Sequence, residues 1–137
     1  EIYTLSLHDA LPILLDSQRK TQRFRVYQLE LEHGETRAFA FGGIDALHKA
    51  GFQQPPAAEY THVYDGELTC PVGQDERDIL ERIFARYNQA LPPDYRGRSI
   101  APSDVLELYD ESERRYFYCD MAGFPQVKFS PALAKKA

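Results

Sequence analysis

Tryptophan is absent from this 137-residue chain, methionine occurs once and cysteine twice. Two cysteines, Cys70 and Cys119, cannot build a disulfide framework. They form no CxxC pair and no zinc-spaced cluster with histidine, so they read as free thiols of a reducing cytoplasm. No run of apolar residues approaches the length of a membrane span, so no membrane partner is expected. A surplus of lysine and arginine is also missing. The formal net charge is -5, the opposite of what a sequence-independent duplex binder needs to displace counterions. What is present is a 43% apolar composition with nine Tyr and eight Phe, enough for a single core and weighted toward sheet.

The chain starts at Glu1 and reads as a fragment or an edited frame. The string EIYTLSLHDALPI is similar to translated sequencing-adapter sequence, and it lacks the basic n-region of a secretory signal. Residues 1–20 are therefore expected to be non-native or disordered, the alternative being a native amphipathic helix. The domain is placed at 21–130, with a frayed tail at 131–137.

Alternating residues from Phe24 to Leu31, with a phase slip at Tyr27-Gln28, predict a bulged strand. His33-Gly34-Glu35 reads as a turn into a second strand at 36–41. Ile44, Leu47, His48 and Phe52 recur at helical spacing up to Gly51. Tyr60-Thr61-His62-Val63-Tyr64 is β-rich and runs into Asp65-Gly66, a strong hairpin-turn signal, with a returning strand at 67–70. Ile79, Leu80, Ile83, Phe84 and Tyr87 mark one face of a long helix over 75–90. Asp75 is its expected N-cap, and Asp78 is expected to pair with Arg82. A turn-rich stretch, 94–104, precedes strands at 105–109 and 114–120 and a short one at 127–129. These elements predict an α+β fold: a small, mostly antiparallel sheet with one long and one short helix packed on one face.

Gly97-Arg98-Ser99, Ser103-Asp104-Val105, Tyr118-Cys119-Asp120 and Gly123-Phe124 form a spaced series, and Tyr27-Gln28-Leu29, Tyr64-Asp65-Gly66 and the helix end at 84–88 accompany it. Over 24–129 the chain resembles the YodL-like domain, departing from the usual pattern at Ala101-Pro102. The resemblance implies an accessory module of bacterial mobile elements (conjugative elements, phages), alone or within larger proteins. It carries over no catalytic residues and no cofactor.

Candidate chemistry is sparse. Cys119 lies beside Asp120, but an adjacent carboxylate raises a thiol pKa and successive strand residues face opposite ways; a small buried hydrophobe fits it better. Asp120 is expected to cap the turn toward Gly123. His33 and His62 lack a third metal ligand, and His48 is helix flank. Arg96, Arg98, Arg114 and Arg115, interleaved with Tyr95, Tyr116 and Tyr118, are the one basic concentration, suited to phosphate or stacked single-stranded bases. Alternatively Arg98 bonds turn carbonyls, or pairs with Asp104 or Asp120, and locks the hairpin. Ser99 and Ser103 fit turn and cap roles. The expected activity is non-enzymatic binding of a host or element protein, with nucleic-acid binding through the four arginines as the alternative and a Cys/Asp enzyme as the third.

Overall fold

The structure is a computed structural model that describes residues 19–31 and 34–137. Residues 1–18, which include the adapter-like string, and His33 lie outside those residues. β1 (Arg19–Leu29) is central to a six-stranded sheet with β2 (Tyr60–Pro71), β3 (Val105–Tyr109), β4 (Arg114–Tyr118), β5 (Gln126–Val127) and β6 (Lys135–Lys136). The order is β5-β4-β3-β1-β2-β6. Every pairing is antiparallel except β2 with β6. The fold is α+β, and β1 begins inside the segment set aside as non-native, with Arg19 and Lys20 paired to Pro71 and Cys70.

Strand alternation sorts the core into two clusters. Phe24, Val26, Leu68, Cys70, Leu106, Leu108 and Phe117 face α2 (Glu76–Gln89), whose Ile79, Leu80, Ile83 and Tyr87 are buried against them. Tyr27, Leu29, Tyr60, Val105 and Tyr118 point the other way, onto Phe39, Phe129 and Leu47 of α1 (Ile44–Lys49). The helices thus divide between the two faces instead of sharing one. Leu29 and Phe39 belong to the cluster on the face away from the long helix.

Several local expectations are corrected. The 36–41 strand does not form, because both edges of β1 are already taken, by β2 and by β3. Gly34–Arg37 makes a single helical turn, and Thr36 Oγ1 and Arg37 Nε donate back to the carbonyls of Glu30 and Leu31. Asp65-Gly66 does not turn; it lies within β2. A Cβ on Gly66 would sit 2.7 Å from the Phe24 ring, so this glycine admits aromatic packing across the strands. The bulge lies not at Tyr27-Gln28 of β1 but on β2, where Val63 is the extra residue, since Val26 pairs with Tyr64 and Tyr27 with His62. Asp75 occupies the N-cap position without a side-chain bond, and Arg82 turns to Gln74 and Thr69 while Arg77 pairs with Glu81. The 131–137 tail holds a 3-10 turn (Pro131–Leu133) and β6, which closes on Thr61 and His62 of β2.

Candidate functional site

Gln28 falls on the apolar phase of β1, where a hydrophobe would be expected, and it is fully buried. Its amide is occupied at both ends. Nε2 donates to the Arg98 carbonyl (2.8 Å) and to Asp104 Oδ2 (2.9 Å), and Oε1 accepts from the Arg98 N–H (3.0 Å). The loop can lie this close only because residue 97 has no side chain: a Cβ there would stand 2.2 Å from Gln28 Oε1 and 3.0 Å from Val63. The Arg96 N–H takes the carbonyl freed by the bulge at Val63 (2.9 Å). Arg98 then reaches over the end of β1, donating to the Leu29 carbonyl (3.2 Å) and standing 3.7 Å from Asp104 Oδ1. Arg98 is therefore bonded to the carbonyl at the end of β1, where the sequence suggested turn carbonyls, and is set beside Asp104.

Asp104 is fully buried just before β3. Oδ2 accepts from Gln28 and from the Ala101 N–H (2.9 Å), while Oδ1 has no hydrogen-bond partner. Burial pushes its carboxyl up to about 7, against the pull of the Ala101 N–H, the Gln28 amide and Arg98. Tyr95 is buried above this node, its ring stacked on Tyr87 at 6.1 Å. Next along the chain, Ser103 (φ 82) receives the Tyr60 hydroxyl on its carbonyl (2.7 Å) and the Phe41 N–H on Oγ (3.1 Å). Phe41 itself has φ 60, a costly conformation for a bulky residue, and its ring is exposed beneath the Arg98 guanidinium at 5.2 Å.

Cys119, just past β4, is fully buried with its N–H on the Asp104 carbonyl (2.8 Å). Burial, reinforced by Asp104, pushes its thiol well above the ordinary range, away from the reactive thiolate. Asp120 does more than its turn. Its N–H closes on the Gly123 carbonyl (3.2 Å), but Oδ1 accepts the Ile44 N–H (2.9 Å) at the start of α1. Gly123 has φ 91, and Phe124 packs edge-on to Phe84. Ser99 is exposed, with its carbonyl 3.4 Å from Gln28 Nε2.

The second polar centre lies on the opposite face. Glu107 is fully buried, with Oε1 accepting the Tyr27 hydroxyl (2.8 Å), Oε2 accepting Arg25 (3.2 Å), and Arg114 at 4.0 Å. Arg25 also bonds Asp65 (3.1 Å) and lies 4.0 Å over the Tyr109 ring, whose hydroxyl donates to Asp65 (2.7 Å). Arg115 pairs with Glu76 of α2, and Tyr116 pairs across strands with Glu107.

The four arginines therefore do not share a surface. Arg114 and Arg115 sit where β4 passes Tyr109 and Leu108, at the Arg23 end of β1; Arg98 caps the Leu29 end, roughly 20 Å along the strand. Arg96 and Arg98 line an open groove of about 440 Å³ with Gln28, Leu29, Glu30, Leu31, Thr61, Val63 and Gly97. Phe41 was not singled out from sequence. The signal for Gln28 was its place in the apolar phase; Phe41 carried none. His62 bonds the Tyr64 carbonyl (3.1 Å), and among the described residues no three His, Cys, Asp or Glu gather as metal ligands. No helix among the described residues is long and apolar enough to cross a membrane.

No curated protein and no solved structure matches the chain. The sequence model of the YodL-like domain matches residues 23–129, which spans β1 to just past β5 and so takes in both polar centres. With Gln28, Gly97, Arg98 and Asp104 meeting in one network inside that span, the chain belongs to the YodL-like domain family.

Proposed function

We propose that this YodL-like domain is a non-enzymatic accessory module of a bacterial mobile element, a conjugative element or a phage, acting in the cytoplasm by binding a host or element protein. One observation carries the reading. The side chains with potential chemistry, Ser103, Asp104 and Cys119, are buried in the fold's own fastening, while the groove beside them stays open with Arg96 and Arg98 at its wall. A buried thiol with a raised pKa and a carboxylate bonded to Gln28 and Ala101 are poorly placed for nucleophilic work. The cytoplasmic setting is supported by Cys70 and Cys119, both free.

Nucleic-acid binding is the weaker alternative, because the arginines fall into two separate pairs and the chain carries net charge -5. Affinity capture from a gut-bacterial lysate, followed by rebinding of the purified partner to wild type and Arg96→Glu, tests the proposal. A partner held by wild type and released by the variant is expected. Failure to retain any protein above background would remove the proposal, and oligonucleotide binding that falls steeply with salt would replace it with the alternative.

A further inference from the structure

The groove is positive in a protein that is otherwise negative. Two guanidiniums flank Gly97, and they are not alike. Arg96 is exposed, and among the described residues its side chain has no hydrogen-bond or ionic partner. Arg98 is held in place by the Leu29 carbonyl but keeps its Nε without a partner. The acidic groups around them are accounted for. Glu30, in the groove, pairs with Lys135 (2.8 Å) and accepts from Thr61. Asp104 is enclosed behind Arg98, and Asp94 lies on the far side of Arg96, in the neighbouring depression toward Lys136. The remaining lining sets Leu29, Leu31 and Val63 beside Gln28 and Gly97. Beside it, Phe41 keeps a strained backbone and an exposed ring with a guanidinium on its face. Strain and exposure together, at an aromatic next to an arginine, are the composition of an interface anchor.

Resting on the protein-binding reading above, we propose that this groove takes an extended acidic segment of the partner protein, one carboxylate between Arg96 and Arg98 and neighbouring apolar side chains on Leu31 and Phe41. Arg98 is the preordered contact and Arg96 the mobile one, so the first loses little conformational freedom on binding. A polynucleotide fits less well: beyond the two arginines the lining holds a carboxylate, Glu30, and no run of basic residues to follow a phosphate backbone.

The test is fluorescence anisotropy of the purified chain with three labelled probes: the peptide (Glu-Leu)4, the peptide (Lys-Leu)4 and the oligonucleotide dT12. Saturable binding of (Glu-Leu)4 is expected, about tenfold tighter than (Lys-Leu)4 and weakening with added salt. Arg96→Glu is expected to weaken it at least about tenfold with an unchanged melting temperature, since its exposed side chain holds nothing in the fold. Lys128→Glu, an exposed charge outside the groove, is expected to leave it unchanged. The proposal is overturned by equal binding of the lysine peptide, by tighter binding of dT12, by indifference to Arg96→Glu, or by no saturation up to about 1 mM. A partner from the lysate that Arg96→Glu still holds would keep the interaction-module reading and remove only this one.

Discussion

Asp104 and Glu107 stand three residues apart, both without solvent exposure, and alternation sends them to opposite faces of the sheet. Their surroundings differ. Glu107 has a donor on each oxygen and two arginines within 4.0 Å. Asp104 receives both of its hydrogen bonds on one oxygen; the other has no partner, and Arg98 stays 3.7 Å away because its NH2 is engaged by the Leu29 carbonyl. Depth is equal, so depth does not decide what a buried carboxylate contributes. The placement of donors does. Glu107 is built as an ion-pair centre that joins β1, β2 and β3. Asp104 is built as an acceptor that tolerates protonation.

Removing each carboxyl breaks the comparison most directly. Glu107→Ala leaves Arg25 and the Tyr27 hydroxyl without their buried acceptor and is expected to cost about 3–5 kcal/mol in urea unfolding. Asp104→Asn keeps an acceptor for Gln28 and Ala101 and is expected to stay within about 1 kcal/mol of wild type near pH 4, where the Asp104 carboxyl is also neutral. The reverse order would mean that Asp104, not Glu107, is the working ion pair.

The second effect is a pH dependence of fixed sign. The Asp104 carboxyl titrates near 7 folded and near 4 unfolded, so between these values the folded state holds the extra proton. Its contribution is fully present below about pH 4 and is lost as pH rises through 7, a change on the order of 4 kcal/mol. His62 works in the opposite direction, since burial lowers its pKa and stability is gained as it deprotonates. The measurement is therefore the difference between wild type and Asp104→Asn across pH 4–8. A flat difference would show that Asp104 stays ionised in the fold.

Gln28 joins the node to β1, and its loss is the third effect. Gln28→Ala leaves the Arg98 N–H, the Arg98 carbonyl and Asp104 short of partners, at an expected cost of about 2 kcal/mol. Gly97→Ala should cost a similar amount, because the added Cβ would displace the Gln28 amide. If the two changes together cost no more than either alone, they act through one contact.

How much of this was legible follows from where each signal is written. The β1 alternation and the buried face of α2 are local patterns, and they stand; the bulge expected at Tyr27-Gln28 falls instead across the ladder, at Val63 of β2. Asp65-Gly66 misled because a glycine admits either a positive φ or a close neighbour, and only the fold reveals that the neighbour is Phe24. The 36–41 strand failed for a non-local reason: β1 had no free edge. The tail orders because β2 offers it one. The residues of the node were visible as the motifs Tyr27-Gln28-Leu29, Gly97-Arg98-Ser99 and Ser103-Asp104-Val105, but the contacts that unite them span about 70 positions. The splitting of the four arginines was likewise invisible, since nearness in sequence does not fix which end of a strand a loop covers. Phe41 was invisible too, because strain has no sequence signature.

The smallest effect is the most specific one. Arg25 touches Glu107 at hydrogen-bond distance, and Arg98 misses Asp104 by most of an ångström. Double-mutant cycles should therefore separate the two pairs: a coupling of about 2 kcal/mol for Arg25→Ala with Glu107→Gln, and under about 1 kcal/mol for Arg98→Ala with Asp104→Asn. Arg98→Ala should also move the midpoint of the Asp104 difference curve upward, because the guanidinium is one of the groups holding that carboxyl down. A much larger upward move, with a coupling as large as that of Arg25 and Glu107, would mean that the pair closes in solution to a full ion pair. Arg98 would then be drawn into the protein and away from the groove, leaving Arg96 alone to meet a ligand.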